Sequence, residues 1–236
     1  MKKLTILIIV TTLIAITNNI YAQKKNKSNI QLGAKISPNI SWLNANAQDF
    51  SGDGTSAKFS WGFIADFQFA EKYFISTGFN VTSTGGKIVH PFINKIDTIS
   101  TPGSLHRSIS VRYVEFPLSL KMKTRQFGYL TYFGQIGLGL GMRLSAKADD
   151  DFYPNASNIA VSKNDIKIED EINFLRLSMI LAAGVEYNLG GSTSLFGALT
   201  FNNGFTNILN YKNNISPFVD ADASSNSFEI TIGILF

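Results

Sequence analysis

The chain of 236 residues contains no cysteine. That excludes a disulfide scaffold, a thiol nucleophile and any thiolate metal site. Charge is scarce as well. Only 16% of the residues are Asp, Glu, Lys or Arg, against about 25% in an ordinary soluble domain. A disordered chain would be rich in charge and poor in aromatics, and a coiled coil would be rich in Ala, Glu, Lys, Leu and Arg; neither class fits. Histidine is limited to His90 and His106, and nothing near them supplies a third metal ligand at convincing spacing. Both read as solvated loop residues. There is no nucleophile elbow and no phosphate-binding glycine loop, and the Gly-rich run 136–141 is followed by no helical pattern. The longest uncharged apolar run, Leu4 to Ile16, has 13 residues, short of the roughly 20 that a spanning helix needs. The formal charge of +4 includes Lys2 and Lys3, so a chain without them carries little net charge and gives no reason to expect a nucleic-acid partner.

That apolar run has another reading. Met1-Lys2-Lys3 precedes it, Thr17-Asn18-Asn19 follows it, and Ile20-Tyr21-Ala22-Gln23 places a small residue at a cut. Positive start, short apolar stretch and small residue make a secretory signal peptide, with cleavage expected between Ala22 and Gln23. The organisation expected is a leader over 1–22, a short solvated linker over 23–28 and a single domain over 29–236.

What the rest of the chain has is 44% hydrophobic residues, with 19 Phe, 8 Tyr and 19 Gly, arranged with a period of two. Ile30, Leu32, Ala34, Ile36, Ile40 and Trp42 alternate with Gln31, Gly33, Lys35, Ser37, Asn39 and Ser41. The same rhythm runs through 59–69, 73–82, 114–122, 130–143, 175–188, 195–205 and 227–236. These are eight predicted strands, each able to supply the 9 to 11 residues or so of a tilted membrane-crossing strand. Short links near 70–72, 123–126 and 190–193 alternate with long polar stretches over 44–56, 84–107, 145–170 and 207–226. Short turns at one end and long loops at the other are the layout of an outer-membrane barrel. The expected fold is therefore all-β: an eight-stranded antiparallel up-and-down transmembrane β-barrel with short periplasmic turns and long extracellular loops.

Alternation alone does not say which face meets lipid, because a soluble ligand-binding barrel alternates too, with its apolar face inward. The polar face carries Lys35, Lys121, Arg143 and Arg176 against Asp66, Glu115, Glu186 and Glu229. A narrow eight-stranded barrel is filled by side chains, and a balanced set of charges can pair there where single ones would be costly. Gly137, Gly139 and Gly141 share that face and leave space for longer partners. The apolar face is thus expected outward. Trp42, Trp61, Phe67, Phe69, Tyr73, Tyr132, Tyr187 and Phe236 lie on it, as aromatic girdles at the headgroups require. The segment Phe228 to Phe236, with Gly233 within it, ends on an outward aromatic. It resembles the terminal-strand signal read by the outer-membrane insertion machinery.

Arg112-Tyr113-Val114-Glu115-Phe116-Pro117-Leu118-Ser119-Leu120-Lys121 resembles the fourth-strand motif of the PorT-type outer-membrane β-barrel family of Bacteroidetes, and Gln31-Leu32-Gly33-Ala34-Lys35 with Ser37-Pro38-Asn39 resembles that family's first strand. The resemblance implies an outer-membrane barrel, and for PorT itself a role in a secretion system. A proline cannot donate to a sheet ladder, so a bulge is expected near Glu115 to Pro117, a comparable irregularity at Pro38, and Arg112 above the apolar band. Asp149-Asp150-Asp151 and Glu169-Asp170-Glu171 read as solvated acidic loops before any weak calcium site, and 49–54 reads as turn chemistry. No catalytic residue, cofactor site or metal site is expected. The function expected is that of a non-enzymatic barrel with a filled polar interior, acting structurally or through its loops. The alternatives are a secretion-system accessory or a narrow small-solute porin. Its expected partners are outer-membrane lipid, the insertion machinery during biogenesis, and components of a secretion complex.

Overall fold

The computed structural model describes residues 29–236 apart from 48, 97–98, 156–158, 213 and 216–219. The expected leader, linker and cleavage site at Ala22 and Gln23 lie outside the described residues. Among the described residues nine strands follow: β1 Ile30–Ala45, β2 Ser51–Ala70, β3 Tyr73–Ile96, β4 Ile99–Lys123, β5 Leu130–Pro154, β6 Val161–Lys167, β7 Leu175–Gly190, β8 Thr193–Gly204 and β9 Ala223–Leu235, with a 3-10 turn at Glu169–Glu171 before β7. Eight of them close a ring. Each pairs antiparallel with the next, β5 pairs with β7, and β9 returns to β1 through Gly33–Leu235 to Ala45–Ala223. Closure leaves the ring no sheet edge. The ninth strand, β6, adds to the far end of β5 beyond the ring. A left-handed Asp165 (φ 57°) sits where its pairing with β5 shifts register.

The alternation that predicts strands also sets their faces. On β4, Glu115, Ser119 and Lys121 are buried while Phe116, Leu118 and Met122 are exposed. Polar groups point into the ring and apolar groups point out, as in a wall that meets hydrocarbon. The eight girdle aromatics lie on this outer face, Trp42 half-buried and the other seven exposed.

The three stretches 44–56, 84–107 and 145–170 correct the expectation of long loops. Most of their length is strand: β3, β4 and β5 run for 24, 25 and 25 residues. Along β4 one parity stays inside throughout, yet its chemistry inverts. Glu115, Ser119 and Lys121 give way to Tyr113, Val111 and Ile109, all fully buried, while the outer parity turns from Phe116 to Arg112, Ser110 and Ser108. Water replaces hydrocarbon outside this part of the wall, so the apolar groups move inward. There they form a core with Leu43, Phe50, Ile88, Ala146, Ala148, Ile168, Ile172 and with Ile208, Leu209 and Ala221 from the stretch after β8. An outward-polar strand reads as a loop in composition, which is why the sequence pattern under-called it.

The expected bulge at Glu115 to Pro117 is absent. Pairing of β4 with β5 is continuous from Tyr113–Arg143 to Lys123–Phe133, and the single register shift lies between Arg112 and Tyr113, where Leu144 is the extra residue. Pro117 is accommodated instead by a gap in the ladder to β3. Thr77 pairs with Leu118 and Asn80 with Glu115, with two positions skipped between. The Thr77 hydroxyl donates to the Pro117 carbonyl at 2.8 Å. Pro38 sits in a similar gap between the Ile36–Ile232 and Asn39–Glu229 pairs, beside a 2.8 Å hydroxyl contact of Ser37 with Thr231. Both ladders keep their register, so each proline costs a hydrogen bond without bending the wall. Arg112 faces outward and is exposed at the level where the outer face turns polar.

Candidate functional site

The interior of the ring is built in layers. Toward the short turns, Phe133, Phe196 and Leu235 pack with Ile64 and Ala198, Phe133 in register with Lys123 and Phe196 with Glu186. At the same level Lys121 reaches from β4 to Asp66 on β2 at 2.8 Å and to Glu186 on β7 at 2.9 Å. Lys123, two residues along the same face, donates to Glu186 Oε2 at 2.9 Å and to Gln31 at 2.6 Å. Glu186 Oε1 lies 2.9 Å from both ammonium groups, an ionic contact outside hydrogen-bond geometry. The Lys121 ammonium also stands 4.3 Å from the centre of the Phe133 ring. Such a cluster is tolerable in a dry interior because each charge has an opposite neighbour.

The next layer centres on Arg176 of β7, 1% exposed. Its Nη1 donates to Glu115 at 3.1 Å, Nε to the Ser225 hydroxyl at 2.8 Å, and Nη2 to Asn202 at 2.8 Å and the Ser225 carbonyl at 2.9 Å. Asn202 in turn donates to Glu115 at 3.2 Å. Gly139 supplies the room, since a methyl there would crowd the Glu115 carboxylate and the Ser178 hydroxyl. Glu229 of β9 is buried and Lys35 of the adjoining β1 is half-buried. Both line a cavity of about 50 Å³ between the two layers, with Asn80, Glu115, Lys121 and Gln135. That is space for a few waters.

Of the eight ionisable residues singled out in the sequence, the ring thus draws seven into these layers. Arg143 stands apart: it has no acidic partner among the described residues, and its Nη1 donates to the backbone carbonyls of Glu169 and Ile172 around the 3-10 turn. It closes a turn rather than balancing a charge. By sequence Lys123 falls in the short link 123–126, yet it shares the parity of Lys121, and that parity is the signal that places it inside.

The outer layer holds a second group that composition hid. Arg107 of β4 grips Asp150 of β5 with two 2.7 Å bonds and also donates to Glu171 of the 3-10 turn. The Tyr211 ring lies 5.5 Å from the guanidinium carbon. Burial alone would lower the Arg107 pKa; Asp150 and Glu171 outweigh it and raise it. Burial pushes the Tyr211 phenol up to about 12, with Arg107 opposing. His90 is buried at 3% exposure, which corrects the reading of it as a solvated loop residue. His106 is the exposed one, 2.7 Å from Asp53. Arg107 and His90 face inward with Ile109 and Ile88, a signal available only once the strands are known to continue.

The profile of the family described as outer membrane protein beta-barrel domain matches residues 21–210. No curated protein matches the sequence. Among solved structures, Neisserial surface protein A is 11% identical, with 88% of this chain and 96% of its own covered at a TM-score of 0.45. AlkL in lipid bilayers is 12% identical, with 93% and 95% covered at 0.45. The outer membrane protease OmpT from Escherichia coli is 10% identical, with 92% and 99% covered at 0.39. The profile spans most of the chain, the eight-stranded ring has a wall that is apolar outside and ionic inside, and so the chain belongs to the outer membrane protein beta-barrel domain family and resides in the outer membrane.

Proposed function

We propose that this is a non-enzymatic barrel with a filled interior, which serves the envelope structurally or through the surface its extracellular end presents. The observation that supports this is the closure of the interior at three heights. Phe133, Phe196 and Leu235 pack at the level of the Lys121–Asp66–Glu186 cluster, the Arg176–Glu115 layer follows, and the core around Ile88, Ile109 and Val111 lies above both. The cavity between the layers is about 50 Å³, too small to pass a solute. The cored outer layer makes the extracellular end a firm platform. Planar-bilayer recording tests the reading: the purified barrel is expected to give no stable openings, and steady large conductance would replace this reading with that of a porin.

The Tyr113-Val114-Glu115-Phe116-Pro117 motif favours a second reading, an accessory role in a secretion complex like that of PorT. It uses Tyr113 and Glu115 as inward groups and leaves the outer surface to a partner. Cross-linking in cells followed by purification separates the two readings. A defined complex supports the accessory role, and a monomer without partners supports the structural one.

Two processing features belong to the same proposal. Cleavage between Ala22 and Gln23 is checked by the mass of the mature chain. Phe228, Gly233 and Phe236 act as an insertion signal, checked by the fraction of a Phe236→Ala variant that reaches the heat-modifiable folded form.

A further inference from the structure

The Nδ1 of His90 lies 3.0 Å from the Pro91 carbonyl oxygen, which can only accept, so Nδ1 carries the proton. Nε2 is left with its lone pair buried and without a hydrogen-bond partner. The imidazole stands 4.6 Å from the ring of Phe50, 6.1 Å from that of Phe92 and 6.2 Å from that of Tyr211, centre to centre. The Tyr211 hydroxyl is also buried, with the Arg107 guanidinium as its polar neighbour. The charged groups facing the imidazole come from three other elements: Arg107 of β4, Asp150 of β5 and Glu171 of the 3-10 turn. Both carboxylates are already bound to Arg107.

We propose that His90 is a pH-sensitive latch of the outer layer: a proton on Nε2 releases the segment carrying Tyr211 from β3 and β4 and opens the apolar core beneath it. The added N–H would have no acceptor, and its charge would stand near the Arg107 guanidinium with the nearby carboxylates engaged elsewhere. A buried charge without partners costs several kcal/mol, so the ring seeks water. Reaching water displaces either Phe50 or Tyr211. Phe50 leads directly into β2, whereas the Tyr211 segment lies outside the named strands: isolated bridges, single backbone bonds such as that of the Asn210 N–H to the Glu171 carbonyl, and side-chain amides of Asn173, Asn207 and Asn214 hold it. Strand pairing makes Phe50 the firmer side. Burial holds the imidazole below its ordinary 6.5 and Arg107 pushes the same way, while the Pro91 carbonyl, Asp150 and Glu171 partly offset them. Below 6.5 the open form binds the proton and the closed form does not. The open fraction therefore grows about tenfold for each unit of pH until the lowered value is reached.

The test uses the full barrel in lipid bilayers and hydrogen exchange of peptides spanning 205–211, corrected for the intrinsic pH dependence of exchange. Between about pH 8 and about pH 5, which brackets histidine titration, protection is expected to fall by about tenfold or more in the unaltered protein. It is expected to stay constant in His90→Phe, and to fall as in the unaltered protein in His106→Gln. Equal protection at both pH values, an identical fall in His90→Phe, or loss of the response in His106→Gln overturns the proposal. Where His90→Phe does not fold, the imidazole is titrated by NMR in the unaltered protein. A midpoint below 6.5 shared with amides of 205–211 supports the latch, and a midpoint at or above 6.5 contradicts it.

Discussion

Phe196 on β8 is registered directly opposite Gly233 on β9, and its ring fills the space where a side chain on Gly233 would stand. Phe133 and Gly184 repeat the arrangement between β5 and β7. Each ring occupies the space a side chain on its facing glycine would take, and the two rings, 6.4 Å apart, pack across the lower interior of the barrel. The glycines are thus part of that layer's shape.

A methyl at Gly233 would meet both the Phe196 ring and the Ala34 carbonyl. Gly233→Ala is expected to destabilise the folded barrel by about 1–3 kcal/mol, the usual cost of overpacking. Phe196→Ala leaves a void and is expected to cost about 3–5 kcal/mol. Urea unfolding in bilayers measures both, and a neutral Gly233→Ala would mean that the ring does not rest there.

Arg176 holds together Glu115, Asn202 and Ser225. Arg176→Leu removes the cation and strands a buried carboxylate, for an expected loss of about 3–5 kcal/mol. Adding Glu115→Gln removes that charge and is expected to recover part of the loss. If the double variant is as unstable as the sum of the two single ones, the pair is not coupled.

Arg107 and Lys147 both form ion pairs in the outer layer, but their burial differs. The Lys147 and Asp165 side chains are 50% and 73% exposed, against 10% and 13% for Arg107 and Asp150. Lys147→Ala is expected to change stability by less than about 0.5 kcal/mol, while Arg107→Ala strands two carboxylates and loosens the layer. Proteolysis of intact cells reads this: cleavage at the extracellular end should quicken for Arg107→Ala alone.

Tyr211 gives an alkaline signature. Its folded-state pKa of about 12 stands above the ordinary 10.0, so the unfolded phenol ionises first. Stability is lost as pH climbs from 10 towards 12 and levels off beyond. Tyrosinate absorbance should show one fewer late-titrating group in Tyr211→Phe, and an unchanged curve would contradict the burial of the ring.

Periodicity in the sequence was enough to place the wall. Phe116, Leu118 and Met122 outside with Glu115, Ser119 and Lys121 inside follow from a period of two and from the cost of single charges in a narrow ring. The same parity carried to Lys123 would have found the missing cation. What periodicity could not supply was the solvent at each height. Above Tyr113 the parity persists but the polarity reverses, so an alternation read for apolar-out strands sees only loops, and it hides Arg107 and His90.

The sequence by itself determined that this chain is an alternating β-wall with opposite chemistries on its two faces, because a strand exposes alternate residues whatever surrounds it. Only the tertiary structure decided which charges meet, that Pro117 interrupts a ladder without bending it, and that Arg143 serves a turn. Those outcomes depend on register and ring closure, which bring the carboxylates of Asp66 and Glu186 within 3 Å of the Lys121 ammonium across strands distant in sequence, and no local pattern encodes that meeting.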